Sequence, residues 1–298
     1  MLRAHFIKLS AALIAATATL VASAQAQTTA PSPYSTTKVD GTDNVYIFRY
    51  GGHQSMFVMT KDGVIATDPI SERRPAAKTY IEEIQKITKA PIKYVIYSHL
   101  HYDHIAGGKP FKDLGATFVA HKNAKDRIVQ LKPADVVVPD QTVGDKKVIK
   151  LGGTTLELLY VGKNHSDSTL VMRLPKEKII FTVDWLPLQA VQFRGMADSY
   201  LPDLEQGMKK VLAMDWDKLI PGHPGPGGRQ TGTKEDVQND LAYLQDLSAA
   251  VKKAVDEGKS VADAQKEIKL PKYESWGNYG AFLPMNIERY YDFHNRGI

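Results

Sequence analysis

The sequence predicts an α/β fold, a four-layer αββα sandwich in which two β-sheets face each other and helices cover their outer faces. Three observations carry this expectation. β-rich runs followed by helices occur twice along the 298 residues, with no linker between the halves. His99, His101, His104, His165, Asp184 and His223 all fall in turns just after apolar strands, where α/β folds place their sites. A composition of 43% hydrophobic and 24% charged residues suits a chain that buries a real core.

Residues 1–26 read as a secretory signal peptide. Arg3 and Lys8 precede a short apolar run over residues 9–22, and Ala22-Ser-Ala and Ala24-Gln-Ala offer cleavage sites. The run is shorter than the ~20 residues of a spanning helix, so no stable membrane anchor is expected. Residues 27–38, rich in Pro, Ser and Thr, are expected to be loose, and residues 39–298 to form a single domain. Residues 45–68 alternate like strands and are broken by Gly51-Gly52 and Asp62-Gly63, which predicts an antiparallel meander. A helix is expected over residues 71–89, with Tyr80, Ile81, Ile84 and Ile87 on one face, and a strand over residues 92–97. A strand over 117–121 and a helix over 123–131 follow. Four strands are then expected, at 146–151, 154–161, 168–174 and 178–183. A helix over 204–214 and a strand over 218–221 lead to the clearest helix, residues 233–257. Its apolar stripe is Val237, Leu241, Leu244, Val251 and Val255, its cap is Thr233 with Asp236, and it stops at Gly258. Helices over 261–268 and 284–295 close the chain. No tandem repeat is visible.

The chain has no cysteine, which excludes disulfides, thiol nucleophiles and thiolate metal ligands. The formal charge of +5 falls to +3 if Arg3 and Lys8 leave with the signal. This is a mild lysine excess without basic runs interleaved with aromatics, so nucleic acid is not an expected partner. A signal peptide implies a periplasmic or secreted protein. Nothing in the sequence reads out an oligomeric state.

The chemistry concentrates in Ser98-His99-Leu100-His101-Tyr102-Asp103-His104. In extended chain, residues i and i+2 share a side. His99, His101 and Asp103 are therefore expected to face one cavity, with His104 turned to a second point close by. One short segment can then serve two metal ions. His165 sits in a polar turn, His223 in Pro-Gly-His-Pro-Gly, and Asp184 ends the apolar run Ile179-Ile-Phe-Thr-Val. Each alone is an ordinary turn residue, but together they are a ligand set. Imidazole and carboxylate without thiolate suit Zn²⁺ first, with Fe or Mn possible. His53, in the Gly-Gly-His-Gln turn, is expected to be solvated, with a place beside the cleft as the alternative. Tyr102 and Trp185 are candidates to line the cleft, with core packing as the alternative for each. His121 and His294 read as structural.

These residues, in this order, resemble the metallo-β-lactamase superfamily over nearly all of the chain after the signal. Asp68 matches that family's first motif, a carboxylate supporting the ligands. His99-x-His101-x-Asp103-His104 matches the second, and His165, Asp184 and His223 match the rest. The resemblance implies the αββα metallo-β-lactamase sandwich. It also implies that His99, His101 and His165 hold one ion, that Asp103, His104 and His223 hold the other, and that Asp184 bridges them. Two Zn²⁺ per chain would then carry a bridging hydroxide, with Asp103 as the catalytic group that orients it and accepts its proton. A bridging Asp is similar to glyoxalase II, lactonase and phosphodiesterase branches, whereas cysteine-containing zinc β-lactamases have Cys there. The lactonases place a Tyr soon after that Asp; here Trp185-Leu-Pro-Leu follows. The function expected is an exported dinuclear zinc hydrolase of a small-molecule ester, lactone, thioester or amide. The alternatives are a β-lactam hydrolase, a mononuclear iron persulfide dioxygenase, and a non-catalytic periplasmic binding protein of the same fold.

Overall fold

Alternation along the strands assigns each apolar residue to one of three cores. The computed structural model describes residues 32–298, so the expected signal segment lies outside the described residues. In the first sheet, β1 (Tyr34–Lys38), β2 (Val45–Tyr50), β3 (His53–Thr60) and β4 (Gly63–Thr67) form an antiparallel meander. The strands β5 (Ile92–Ile96), β6 (Thr117–His121) and β7 (Gln141–Val143) continue it in parallel. The second sheet holds β8 (Lys146–Leu151), β9 (Thr154–Tyr160), β10 (Leu170–Leu174), β11 (Ile179–Phe181) and β12 (Lys218–Ile220), in the order β12-β11-β10-β9-β8. Within it only β11 and β12 are parallel.

Ile47, Met56, Val58, Ile65 and Ile96 point from the first sheet onto Leu158, Leu170, Met172 and Phe181 of the second, and all are buried. Their neighbours Phe48, Phe57, Ala66 and Val95 point the other way. There they meet α1 (Ala76–Ile87), α3 (Lys109–Asp113) and α4 (Lys122–Leu131), through Tyr80, Ile84, Phe111 and Ile128. On the far side, Val171 and Ile180 meet α5 (Leu201–Ala213), α6 (Lys234–Asp256) and α8 (Tyr279–Arg296), through Leu204, Met208, Leu244 and Ile287. The period-2 pattern of buried residues on both faces is what a sheet between two layers requires. The fold is the expected αββα sandwich.

Several expectations need correction. Residues 34–38 are not loose: they form β1, paired in register with β2 from Tyr34↔Tyr50 to Lys38↔Tyr46. Residues 71–75 are not helical. Ile70 and Arg73 have φ of 45° and 55°, and the Ser71 hydroxyl binds the Arg74 carbonyl and the Ala77 amide, so a turn precedes α1. That turn aims Arg74 at the site. The helix α7 (Val261–Glu267) lies where expected, and α8 begins at Tyr279, so Pro284 lies inside it rather than at its start. α6 carries the expected Thr233–Asp236 capping box. The three-residue strand β7 has no apolar alternation to mark it.

Candidate metal centre

The site forms along one edge, where β4, β5, β9, β11 and β12 end. Asp68 follows β4 and is wholly buried. Its Oδ1 accepts the Ser98 amide at 2.7 Å, which ties the end of β4 to the chain leaving β5. His99 comes next, also wholly buried, with Nδ1 bonded to the Ser98 hydroxyl at 2.9 Å. The segment does not stay extended. His101 caps a single helical turn, α2 (Tyr102–Ile105). Asp103 therefore leaves the side occupied by His99 and His101 and joins His104. The expectation that His99, His101 and Asp103 share one cavity wall is overturned by this turn.

Two clusters result. Ligand atoms of His99, His101, His165 and Asp184 lie within 4.8 Å of one another, and so do those of His53, Asp103, His104 and His223. Asp184 stands between them. Its Oδ2 is 3.5 Å from Nε2 of both His99 and His165 and 3.2 Å from His104 Nε2, and its Oδ1 is 3.0 Å from His223 Nε2. The Asp184 backbone has φ 74°, sparsely populated for a non-glycine residue. Gly222 makes that placement possible. A Cβ there would sit 2.3 Å from Val183 Cγ1 and 3.1 Å from Asp184 Oδ1.

Outside partners orient the rings. His101 Nε2 donates to Asp198 Oδ2 at 2.7 Å, and its Nδ1 lies 2.9 Å from His165 Nε2. His223 Nδ1 donates to the Gly52 carbonyl at 2.6 Å. In each case the outward nitrogen carries the proton and the inward nitrogen keeps its lone pair, as a metal ligand needs. The inward His99 Nε2 and both nitrogens of His104 are buried without a hydrogen-bond partner. Buried polar atoms left unpaired are costly, and a cation between them would relieve that cost.

The electrostatics agree. Burial holds His99 well below the ordinary imidazole range and lowers His165, so both rings are neutral. Burial also pulls down His104, but Asp184, Asp103 and Asp68 outweigh it and push it up to about 9. Burial would raise Asp184 and Asp103. The surrounding imidazoles hold Asp184, and His53 and His104 hold Asp103, well below the carboxylate range. Burial raises Asp68 to about 6 against the opposing pull of His104 and the Ser98 bonds. Imidazoles and ionised carboxylates converging on two points are a cation-binding set that fits divalent ions. An ion in the second cluster would displace the proton that its carboxylates hold on His104.

The predicted contact residues divide. Tyr102 is 37% exposed and lines an open cavity of about 490 Å³ with Glu72, Leu100, His101 and Asp103. Trp185 is wholly buried, donates to the Thr182 hydroxyl at 2.7 Å and packs in the helix-side core, so it is no cleft wall. Its ring is the larger apolar surface and the core takes it. His53 is not a solvated turn residue: Nε2 lies 3.0 Å from Asp103 Oδ2 and Nδ1 lies 3.0 Å from Arg74 Nη1. Sequence reading missed Arg74 and Asp198, whose partners lie 21 and 97 residues away. No local pattern marks either. His121 caps α4 and stacks on Tyr160, and His294 binds Ser248.

Comparison with known proteins matches residues 50–223 to the metallo-beta-lactamase superfamily. The alpha subunit of 2,4-dinitroanisole O-demethylase from Nocardioides sp. (strain JS1661) is 24% identical over 187 residues, 60% of this chain and 55% of that protein. Metallo-beta-lactamase type 2 from Bacillus cereus is 26% identical over 176 residues, 57% of this chain and 66% of that one. Hydroxyacylglutathione hydrolase from Pelagibacter ubique (strain HTCC1062) is 35% identical over 95 residues, 30% of this chain and 36% of that one. The chain thus spans less than two thirds of the length of these curated relatives. Among solved structures, a metallo-beta-lactamase from Pontibacter korlensis superposes with a TM-score of 0.61 at 21% identity, over 71% of this chain and 99% of that one. A stereoselective inverting sec-alkylsulfatase from Pseudomonas sp. superposes with a TM-score of 0.72 at 15% identity, over 87% and 50%. Both likenesses concern the fold. Every residue of the two clusters falls inside the matched stretch, 50–223, and the chain belongs to the metallo-beta-lactamase superfamily.

Proposed function

We propose that this protein is an exported dinuclear metallohydrolase acting on a small ester, lactone, thioester or amide. The observation that carries the reading is Asp184, whose two oxygens face both clusters at 3.0–3.5 Å. His99, His101 and His165 would hold one ion, Asp103, His104 and His223 the other, with Asp184 shared. Zn²⁺ suits the set best. When bound, two such ions bring the pKa of a shared water near 7 and offset charge on the attacking and leaving oxygens.

The remaining work falls to the chain itself. Asp103, ionised and beside the open cavity, is placed to orient a water and accept its proton. Asp68 holds His99 and His104 in place through the Ser98 amide and its own buried carboxylate, whose Oδ2 lies 3.7 Å from His104 Nδ1. Tyr102 and Leu100 give the cavity an apolar side that suits a small acyl group. Export rests on the basic start, short apolar run and small-residue cleavage sites of residues 1–26. Among the described residues, no helix is long and apolar enough to cross a membrane.

A second reading is β-lactam hydrolysis, favoured by relatives that are named metallo-beta-lactamase type 2. The zinc-loaded protein should be assayed against nitrocefin, an acyl-homoserine lactone, a thioester and a phosphodiester. A secondary alkyl sulfate and an aryl methyl ether belong in the panel because two similar proteins are named for such substrates. Turnover of the lactone or thioester above nitrocefin supports the first reading; the reverse order supports the second. Asp103→Asn is expected to lower turnover of the best substrate by about 10²–10⁴-fold while the His99–His101–His165 cluster keeps its ion. Undiminished turnover would refute the role given to Asp103.

A further inference from the structure

His53 lies among the ligand atoms of the second cluster, yet its surroundings differ from those of His101 and His223, whose rings are oriented from outside. His101 and His223 present their outward nitrogens to acceptors, a carboxylate and a carbonyl, so their protons lie outward and their lone pairs inward. His53 presents its outward nitrogen, Nδ1, to the Arg74 guanidinium at 3.0 Å. Guanidinium has five donors, no acceptor, and keeps its proton in proteins. Nδ1 must therefore be the acceptor, and the ring proton must sit on Nε2. That nitrogen is 3.0 Å from Asp103 Oδ2, a carboxylate that can only accept. Both ring nitrogens are committed, and no lone pair is left for an ion. Arg74 is held over the pair by a further contact, Nη2 to the Asp103 carbonyl at 3.5 Å. The ring is fixed as well, 4.5 Å from the His223 ring and 5.2 Å from His104.

We infer that His53 is a positioning residue, locked by Arg74 into the tautomer that donates to Asp103, and not a metal ligand. The inference rests on the two-ion reading above and assigns one of its four clustered groups to a different task. His53 fixes the orientation of the Asp103 carboxylate, which would help hold the second ion and orient a water. Arg74, contributed by the turn before α1, sets which nitrogen of His53 carries the proton. Carboxylate orientation by an outer hydrogen bond is the usual means by which a metal site is held in register.

Glutamine at position 53 separates the two roles. Its amide nitrogen can donate to Asp103 and its amide oxygen can accept from Arg74, but an amide is a poor zinc ligand. The full chain and its His53→Gln, His53→Ala, Arg74→Leu and His223→Gln variants are titrated with Zn²⁺ against a chromophoric chelator, and with Co²⁺ by visible absorption. The wild type is expected to take two ions. His53→Gln keeps both, with second-site affinity and cobalt bands near wild type. His53→Ala keeps both ions but weakens the second by about 10–100-fold. Arg74→Leu weakens it in the same direction and adds nothing on top of His53→Ala, because the two act through one bond. His223→Gln loses the second ion. If His53→Gln loses the second ion as His223→Gln does, His53 is a ligand and the inference is overturned. Wild-type affinity in His53→Ala overturns it equally. Should His53→Ala fail to fold, the His53→Gln comparison still decides. A wild type that binds fewer than two ions removes the two-ion reading itself, an outcome distinct from any difference among variants.

Discussion

At the scale of single residues, the centre depends on groups that touch no ion. Asp198 Oδ2 accepts from His101 at 2.7 Å and so keeps the proton on Nε2. Asp198→Ala is expected to weaken the first site about 10–100-fold and to leave the second unchanged, read by the same chelator competition. Equal weakening of both sites would assign Asp198 a general structural role instead. A buried carboxylate elsewhere in the fold has nothing to do with metal. Asp240 on α6 is wholly buried, accepts from Gln192 Nε2 at 2.9 and 3.1 Å, and is pushed well above the carboxylate range by burial. The folded protein therefore holds a proton that the unfolded chain releases above a pKa of ~3.9. Stability from this group is complete below that pH and declines as pH rises toward the folded value. Asp240→Asn carries no such penalty. Its gain in Tm over wild type should be larger at pH 8 than at pH 4.5, and an equal difference at the two pH values would show that Asp240 is not protonated in the fold.

At the scale of elements, two irregular segments bring the site together. The single turn α2 divides the histidine run between the two clusters. Alternating spacing could mark the ligands but could not reveal that division, because a helical turn of four residues leaves no periodicity to read. The second segment is the chain from Gln189 to Tyr200, which carries Asp198. Gln189, Arg194 and Met196 all have positive φ, a conformation that needs support from outside. α8 supplies it: the Gly195 amide donates to Asn286 Oδ1 at 3.0 Å, and Arg289 donates to the Ser199 carbonyl at 2.6 Å. Gly277 adds backbone bonds to Gln189 and Val191, each at 3.0 Å. Arg289→Ala should therefore weaken the first metal site less than Asp198→Ala but in the same direction; an unaltered first site would mean that α8 does not position Asp198. The local elements were legible where their patterns were long, as in α6 with its Thr233 cap and β2 to β4 with their glycine turns. Arg74, Asp198 and the true place of His53 were not. Their partners are set by how the turns after different strands converge, which depends on the whole sheet rather than on neighbours in sequence.

At the scale of the whole molecule, two sheets share one buried interface, and strands of both end at the same edge. Asp68 and His99 come from the first sheet; His165, Asp184 and His223 come from the second. The ions would thus bridge the two halves. Metal binding to the folded state alone adds stability as RT ln(1 + [L]/Kd). Chelation is expected to lower the Tm, and Zn²⁺ to restore both Tm and turnover. Asp184 joins the halves most directly, since its carboxylate lies within 3.5 Å of His99 and His104 from the first half and of His165 and His223 from the second. The ligand residues were legible in sequence because each ends or follows an apolar strand, while their pairing was implied by the resemblance to the metallo-β-lactamase superfamily. The substrate was not, because the open cavity is bounded by Glu72, Leu100 and Tyr102 from irregular segments. The central claim is a two-ion centre shared through Asp184, and metal content per chain tests it most directly. Elemental analysis of the purified full chain and of Asp184→Ala, each equilibrated with Zn²⁺, should give about two ions for the wild type and at most one for the variant. A wild type that saturates at one ion per chain, above all one iron, would contradict the account.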